Sequence, residues 1–257
     1  MFKILRILVL LLILISVWGT YRIQQTVAED WSGVVTIKVI PVIADDKPST
    51  QRFVSKLKAK DFDEVSRYLI SNAKPYKLDL TNVIELQLEP AIESIPPEVP
   101  ESGSNFLSVA LWSLRLRYWA WQNETPDHEA YFIRLYMLYQ SPVGNAPLPH
   151  STGLQNGLIG LVNARANSGS KKFHNVILTH ELLHILGASD KYDLTTGEPL
   201  YPQGYLNQQS RYPQRHAEIM ARAKPFQDGS FEVAETLSRT RIGPITAQEI
   251  SWDKTSN

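Results

Sequence analysis

Residues 180–184 read His180-Glu181-Leu182-Leu183-His184, which sets two imidazoles four positions apart. On a helix that spacing leaves the two side chains about 6 Å apart along the axis and about 40° apart around it, so they point the same way and can share one cation. Neutral imidazole suits zinc. The chain has no cysteine, which leaves His, Asp and Glu as the ordinary protein ligands. Glu181 follows the first imidazole directly and reaches a metal-activated water without being a ligand. From there a carboxylate can take a proton and later hand it to a leaving amine. Leu182, Leu183, Ile185 and Leu186 supply apolar sides that bury such a helix, so its remaining polar stripe is the candidate site. A shared cation offsets the penalty of burying two imidazoles.

The next residues extend the pattern. Gly187 suits a left-handed turn that ends the helix. The chain can then double back and present Asp190 as a third ligand, with Asp193 and Glu218 as competing candidates. At this point the sequence resembles the metzincin metalloproteases, whose pattern is H-E-x-x-H-x-x-G-x-x-H followed by a methionine turn. Asp190 stands where most of that clan has His, as in its snapalysin-type branch. The resemblance is specific over residues 180–190 and reaches in outline to Met220. It implies one catalytic Zn2+ held by His180, His184 and Asp190, with Glu181 as general base. Met220 would lie in the turn beneath the metal, a core filler being the alternative. Arg222 stands where a Tyr often follows that methionine. The resemblance also implies that the strand before the active helix, here 154–164, binds substrate by main-chain edge pairing.

The elements that must position these groups follow from periodicity. Strands are expected over 33–43, 78–88, 130–139 and 154–164. Helices are expected over 50–72, 104–122 and 175–186, with a short one over 246–252 that has Thr246 as its N-cap and Glu249 in a capping box. Trp112, Trp119 and Trp121 read as core or sheet-backing residues. The stretches 89–101 and 141–153 are rich in proline and read as loops, the second long enough to cover a cleft. From Gly187 onward the chain is mostly irregular. That order gives an α+β fold, in the metzincin manner a mixed twisted sheet backing a central active-site helix with a loop-rich C-terminal half. The expected domain is 31–257, made of a sheet-and-helix part (31–187) and a loop-rich part (188–257).

Other residues have weaker readings. His174 and His216 fit the surface or a supporting role. Tyr192, Tyr201, Tyr205 and Tyr212 crowd the segment after the motif, either as a packing lid or with one of them facing a developing oxyanion. Asp193, Thr195, Thr196 and Glu198 form either a solvated acidic loop or a Ca2+ loop, the first being the default.

Composition sets the outer bounds. The chain has 257 residues, 43% hydrophobic and 20% charged, which excludes wholesale disorder. Its 26 basic residues balance 26 acidic ones, which argues against binding nucleic acid through a broad basic surface. Without cysteine there are no disulfides, thiolate zinc sites or cysteine nucleophiles. Lys3 and Arg6 precede an unbroken apolar run at 7–15. Residues 2–21 therefore read as a membrane anchor, with Trp18 and Tyr21 at the far interface and the rest of the chain in the periplasm or outside the cell. A cleaved signal peptide within 1–30, giving a secreted protein, is the alternative. The expected function is zinc-dependent cleavage of a peptide or protein substrate. The alternative is a non-catalytic metal-binding scaffold of the envelope that keeps the fold.

Overall fold

A computed structural model describes residues 31, 33–100, 103–124, 132–141, 148–155 and 157–253. The anchor expected over residues 2–21 lies outside them, and among the described residues no helix is long and apolar enough to cross a membrane. The expected membrane anchoring, and the periplasmic or exterior address drawn from it, are therefore set aside.

The chain builds β1 (Val35–Ile43), α1 (Pro48–Val54), α2 (Asp63–Ala73), β2 (Ile84–Leu88), α3 (Phe106–Gln122), β3 (Phe132–Gln140), β4 (Thr152–Leu154), β5 (Ile159–Arg165) and α4 (Lys171–Ile185). Five strands form one mixed sheet in the order β2-β1-β3-β5-β4. All neighbours are parallel except β4, which runs antiparallel to β5 at the edge. The mixed α/β architecture agrees with the expected α+β class.

β1 is buried along almost its whole length, as a central parallel strand covered on both faces must be. On one face Ile37 and Val39 join the main core, with Leu69 of α2 and Leu178 and Leu182 of α4. On the other, Ile40 and Val42 meet Trp112, Leu116 and Trp119 of α3. Trp112 and Trp119 thus back the sheet as expected, whereas Trp121 faces solvent at 67% exposure.

Several boundaries differ from the periodicity reading. The helix expected over 50–72 breaks into α1 and α2. The Asp61 carboxylate accepts the Lys58 N–H at 3.0 Å and so closes a separate turn between them. Of the strand expected over 78–88 only Ile84–Leu88 forms, because residues 81–83 turn, with the Asp79 carboxylate accepting the Thr81 N–H at 3.0 Å and the Leu80 carbonyl the Val83 N–H at 3.1 Å. The strand expected over 154–164 is a hairpin. Gly157, at φ 121°, lets the chain reverse, and Leu154 belongs to β4. The edge of the sheet on this side is therefore β4, with β5 inside it. Of the loop expected over 141–153, residues 142–147 lie outside the described residues.

After α4 the chain forms short strands β6 (Ala217–Glu218), β7 (Ala223–Pro225), β8 (Phe231–Val233) and β9 (Thr240–Arg241), then α5 (Pro244–Glu249). α5 starts earlier than expected, with Gly243 as N-cap and Pro244 in its first turn. Thr246 is not its cap, since that hydroxyl donates to Glu218 Oε1 at 2.7 Å. The loop-rich part shares the main core: Met220, Leu237, Ile242 and Ile250 pack with Leu183 and Ile185 of α4.

Candidate metal centre

α4 begins at Lys171, four residues before the helix start expected at 175, directly after a short 3-10 turn, Ser168–Ser170, that Asn167 Oδ1 caps by accepting the Ser170 N–H at 2.9 Å. Its apolar residues sink into the core, and His180 and Glu181 are themselves buried. Gly187 ends it at φ 106°, in the left-handed region the sequence required. A Cβ there would also lie 3.3 Å from the Glu249 carbonyl, so two constraints meet at one glycine.

The turn after Gly187 brings Asp190 back to the helix. Asp190 Oδ1 lies 3.1 Å from His180 Nε2 and 3.1 Å from His184 Nε2, and the two Nε2 atoms are 3.1 Å apart. Bonds of about 2.0–2.1 Å in tetrahedral geometry put neighbouring donors roughly 3.3 Å apart, so this triangle fits a single ion. The outer nitrogens support that fit. His180 Nδ1 sits 3.1 Å from the Ile219 carbonyl and His184 Nδ1 2.8 Å from the Ala188 carbonyl. A carbonyl only accepts, so each Nδ1 holds the proton and each Nε2 presents a lone pair inward. Among the described residues, His180, His184 and Asp190 form a group that could hold a metal ion.

The other candidates for third ligand are engaged elsewhere. Asp193 caps its own turn, accepting the Thr195 and Thr196 N–H groups at 2.8 Å. Glu218 is fully buried and takes four donors: the N–H groups of Met220, Ala221 and Gly243 and the Thr246 hydroxyl. Its role is structural, since it shapes the turn Ile219–Ala221 whose Ile219 carbonyl holds His180. Met220 is fully buried in that turn as part of the main core. No metal-binding group appears at 193–198 among the described residues.

Burial raises the Asp190 carboxyl, but the two imidazoles beside it prevail and hold it well below the usual carboxylate range. Burial lowers His184, and the neighbouring Asp190 carboxylate more than compensates, so its net shift is upward. Glu181 is pushed up by burial against the opposing pull of both imidazoles. Its Oε2 is buried with no hydrogen-bond partner among the described residues. An orphaned, basic carboxylate oxygen beside a donor triangle is suited to receive a proton.

A cavity of about 370 Å³ opens beside the triangle, lined by His180, Glu181, Val176, Ile177, Tyr192 and Arg222 among others. The Arg222 guanidinium lies over the Tyr192 ring, 5.0 Å from its centroid. Of the four tyrosines singled out in the sequence, Tyr192 is the one in this lining. Tyr205 meets Tyr201 and Tyr212 edge to face, with centroids 5.1 and 6.2 Å away. His174 is not a ligand: its Nε2 accepts the Arg165 N–H at 3.0 Å, and burial lowers it to about 4.

No protein-family model matches the chain, and no curated protein matches it.

Sequence reasoning missed two residues here. A Cβ at Gly153 would lie 2.4 Å from the Glu181 carbonyl and 2.9 Å from His184 Cβ, so β4 can lie against α4 only as glycine. A Cβ at Gly160 would lie 2.6 Å from Leu135 Cδ2. At Gly160 a glycine inside a strand pattern is the available signal for such close approach, whereas Gly153 lies in the stretch read as a loop.

Proposed function

We propose that this protein is a zinc-dependent endopeptidase of metzincin-like type. The observation that carries the reading is the three-donor triangle with the unpartnered Glu181 oxygen beside it. His180, His184 and Asp190 would hold the ion, and a set of two imidazoles and one carboxylate suits zinc. A zinc ion there would make a water nucleophilic near neutral pH and polarise a carbonyl. Glu181 takes the proton released on attack and returns it to the departing amine.

The surroundings suit an extended peptide. The outer side of β4 pairs with no strand among the described residues, so a substrate can add there by main-chain hydrogen bonds. The adjoining cavity, with the apolar side chains of Val176 and Ile177, can take one substrate side chain.

The test is zinc content by mass spectrometry together with hydrolysis of quenched peptides, for the full chain and for Glu181→Gln. Loss of a positioned general base lowers kcat by about 10²–10⁴-fold. The expected result is that loss with zinc retained, because Glu181 is not a ligand. Undiminished hydrolysis by Glu181→Gln would remove the mechanism. Zinc uptake by the unaltered protein with no hydrolysis of any peptide would favour the non-catalytic scaffold.

A further inference from the structure

Among the described residues, the Asp190 carboxylate has no polar side chain within reach except the two imidazoles that would share the ion with it, so no separate group steers it directly. Its position is set through its chain neighbours, and both are held by one side chain. Glu249, the last residue of α5, accepts the Ser189 N–H at 3.1 Å and the Lys191 ammonium at 2.6 Å on Oε2, and the Ser189 hydroxyl at 2.6 Å on Oε1. Lys191 Nζ closes the ring by donating to the Ser189 carbonyl at 3.0 Å. On the other side, the Lys191 N–H donates to the Met220 carbonyl at 3.0 Å.

We propose that Glu249 is the positioning residue for the third metal donor, and that α5 thereby sets the affinity of the centre. The inference rests on the metal-centre reading above. The Lys191 side chain is only 2% exposed. Removing Glu249 leaves a buried ammonium without its carboxylate, a strongly unfavourable state that the loop escapes by moving. Any such movement displaces Asp190, which sits between the two clamped residues. α5 is itself fixed by the buried Ala247 and by Thr246 on Glu218. The helix therefore ties the ligand loop to the turn that carries Met220.

The experiment measures Zn2+ affinity by chelator competition, and the visible spectrum of the Co2+-loaded full chain, for Glu249→Gln and Glu249→Ala. Two backgrounds are compared, the unaltered protein and Asp190→Ala. Ile250→Ala is the structural control, because it loosens the same helix and leaves the Glu249 bonds in place. Supporting partners of metal ligands typically contribute 10–100-fold to affinity. We expect a loss in that range for Glu249→Ala, a smaller one for Glu249→Gln, and an altered Co2+ spectrum for both. In the Asp190→Ala background the Glu249 substitutions should change affinity less than threefold, since the residue they act through is gone. Glu249→Gln keeps the shape of the side chain and serves if the alanine variant does not fold. Unchanged affinity, an equal loss in both backgrounds, or the same loss from Ile250→Ala would overturn the proposal. In each of those cases the metal centre itself would stand. A full chain that binds no Zn2+ would remove both.

Discussion

Glu218→Gln isolates the buried carboxylate that shapes the turn under His180. Four donors converge on Glu218, two on each oxygen. Glutamine keeps one accepting oxygen and turns an NH2 group toward the other pair. In the less costly orientation the amide oxygen keeps the Met220 and Ala221 N–H groups. The NH2 then faces Thr246, whose hydroxyl can rotate to accept, and Gly243, whose N–H cannot. One buried N–H is left unpaired, at about 1–3 kcal/mol, and the kept bonds lose their charge assistance, about 1 kcal/mol more. Burial raises the Glu218 carboxyl, so discharging it returns part of that loss. The expected net destabilisation is about 2–3 kcal/mol, and Glu218→Ala, which strands all four donors, should exceed about 4 kcal/mol. Urea denaturation read by tryptophan fluorescence measures it, with an unchanged slope as the check on two-state behaviour. The same turn holds His180 through the Ile219 carbonyl, so Zn2+ affinity should fall in parallel. A Glu218→Gln protein within about 0.5 kcal/mol of the unaltered one would refute this account of the turn.

Three further outcomes are expected. Gly153→Val should destabilise the fold by about 2 kcal/mol or more and abolish hydrolysis, because its Cβ would meet the Glu181 carbonyl at 2.4 Å; a thermal melt and a peptide assay check it. Ile177→Trp should fill the cavity and lower kcat/KM about tenfold or more while leaving Zn2+ affinity unchanged, as read by chelator competition. His174 sits at about 4 in the folded protein, below its unfolded value of 6.5, so the unfolded chain takes up the extra proton and stability falls as pH drops through that window. That contribution is about 3 kcal/mol. His174→Gln, which keeps an acceptor for the Arg165 N–H, should lose less stability than the unaltered protein between pH 7 and pH 4 in urea titrations.

Local patterns carried the reading of the centre. Two histidines at helical spacing, an intervening Glu and a glycine at the helix end are all short-range signals. They located α4, its terminus and the return of Asp190. The errors in the sheet have physical causes too. Apolar residues lie close on both sides of the turn, Leu154 before it and Leu158 and Ile159 after it, which hid the hairpin, although Asn156-Gly157 is a strong reversal signal. Asp61 splits the first helix through its own backbone contacts, which apolar spacing does not register. The sequence singles out Glu218 and Glu249 in other roles, and their actual roles were beyond reach for another reason. Each acts across the chain, Glu218 on Thr246 and Glu249 on Ser189, and no periodicity links such distant positions. The expected capping box at Thr246 and Glu249 failed because both side chains serve those long-range contacts instead.

Anomalous diffraction at the zinc absorption edge, on crystals of the protein grown with Zn2+, addresses the shared cation most directly. The account predicts one peak per chain, about 2.0–2.2 Å from His180 Nε2, His184 Nε2 and an Asp190 oxygen, with Glu181 outside bonding distance. A peak held by other residues, or no peak within reach of those three atoms, would contradict it.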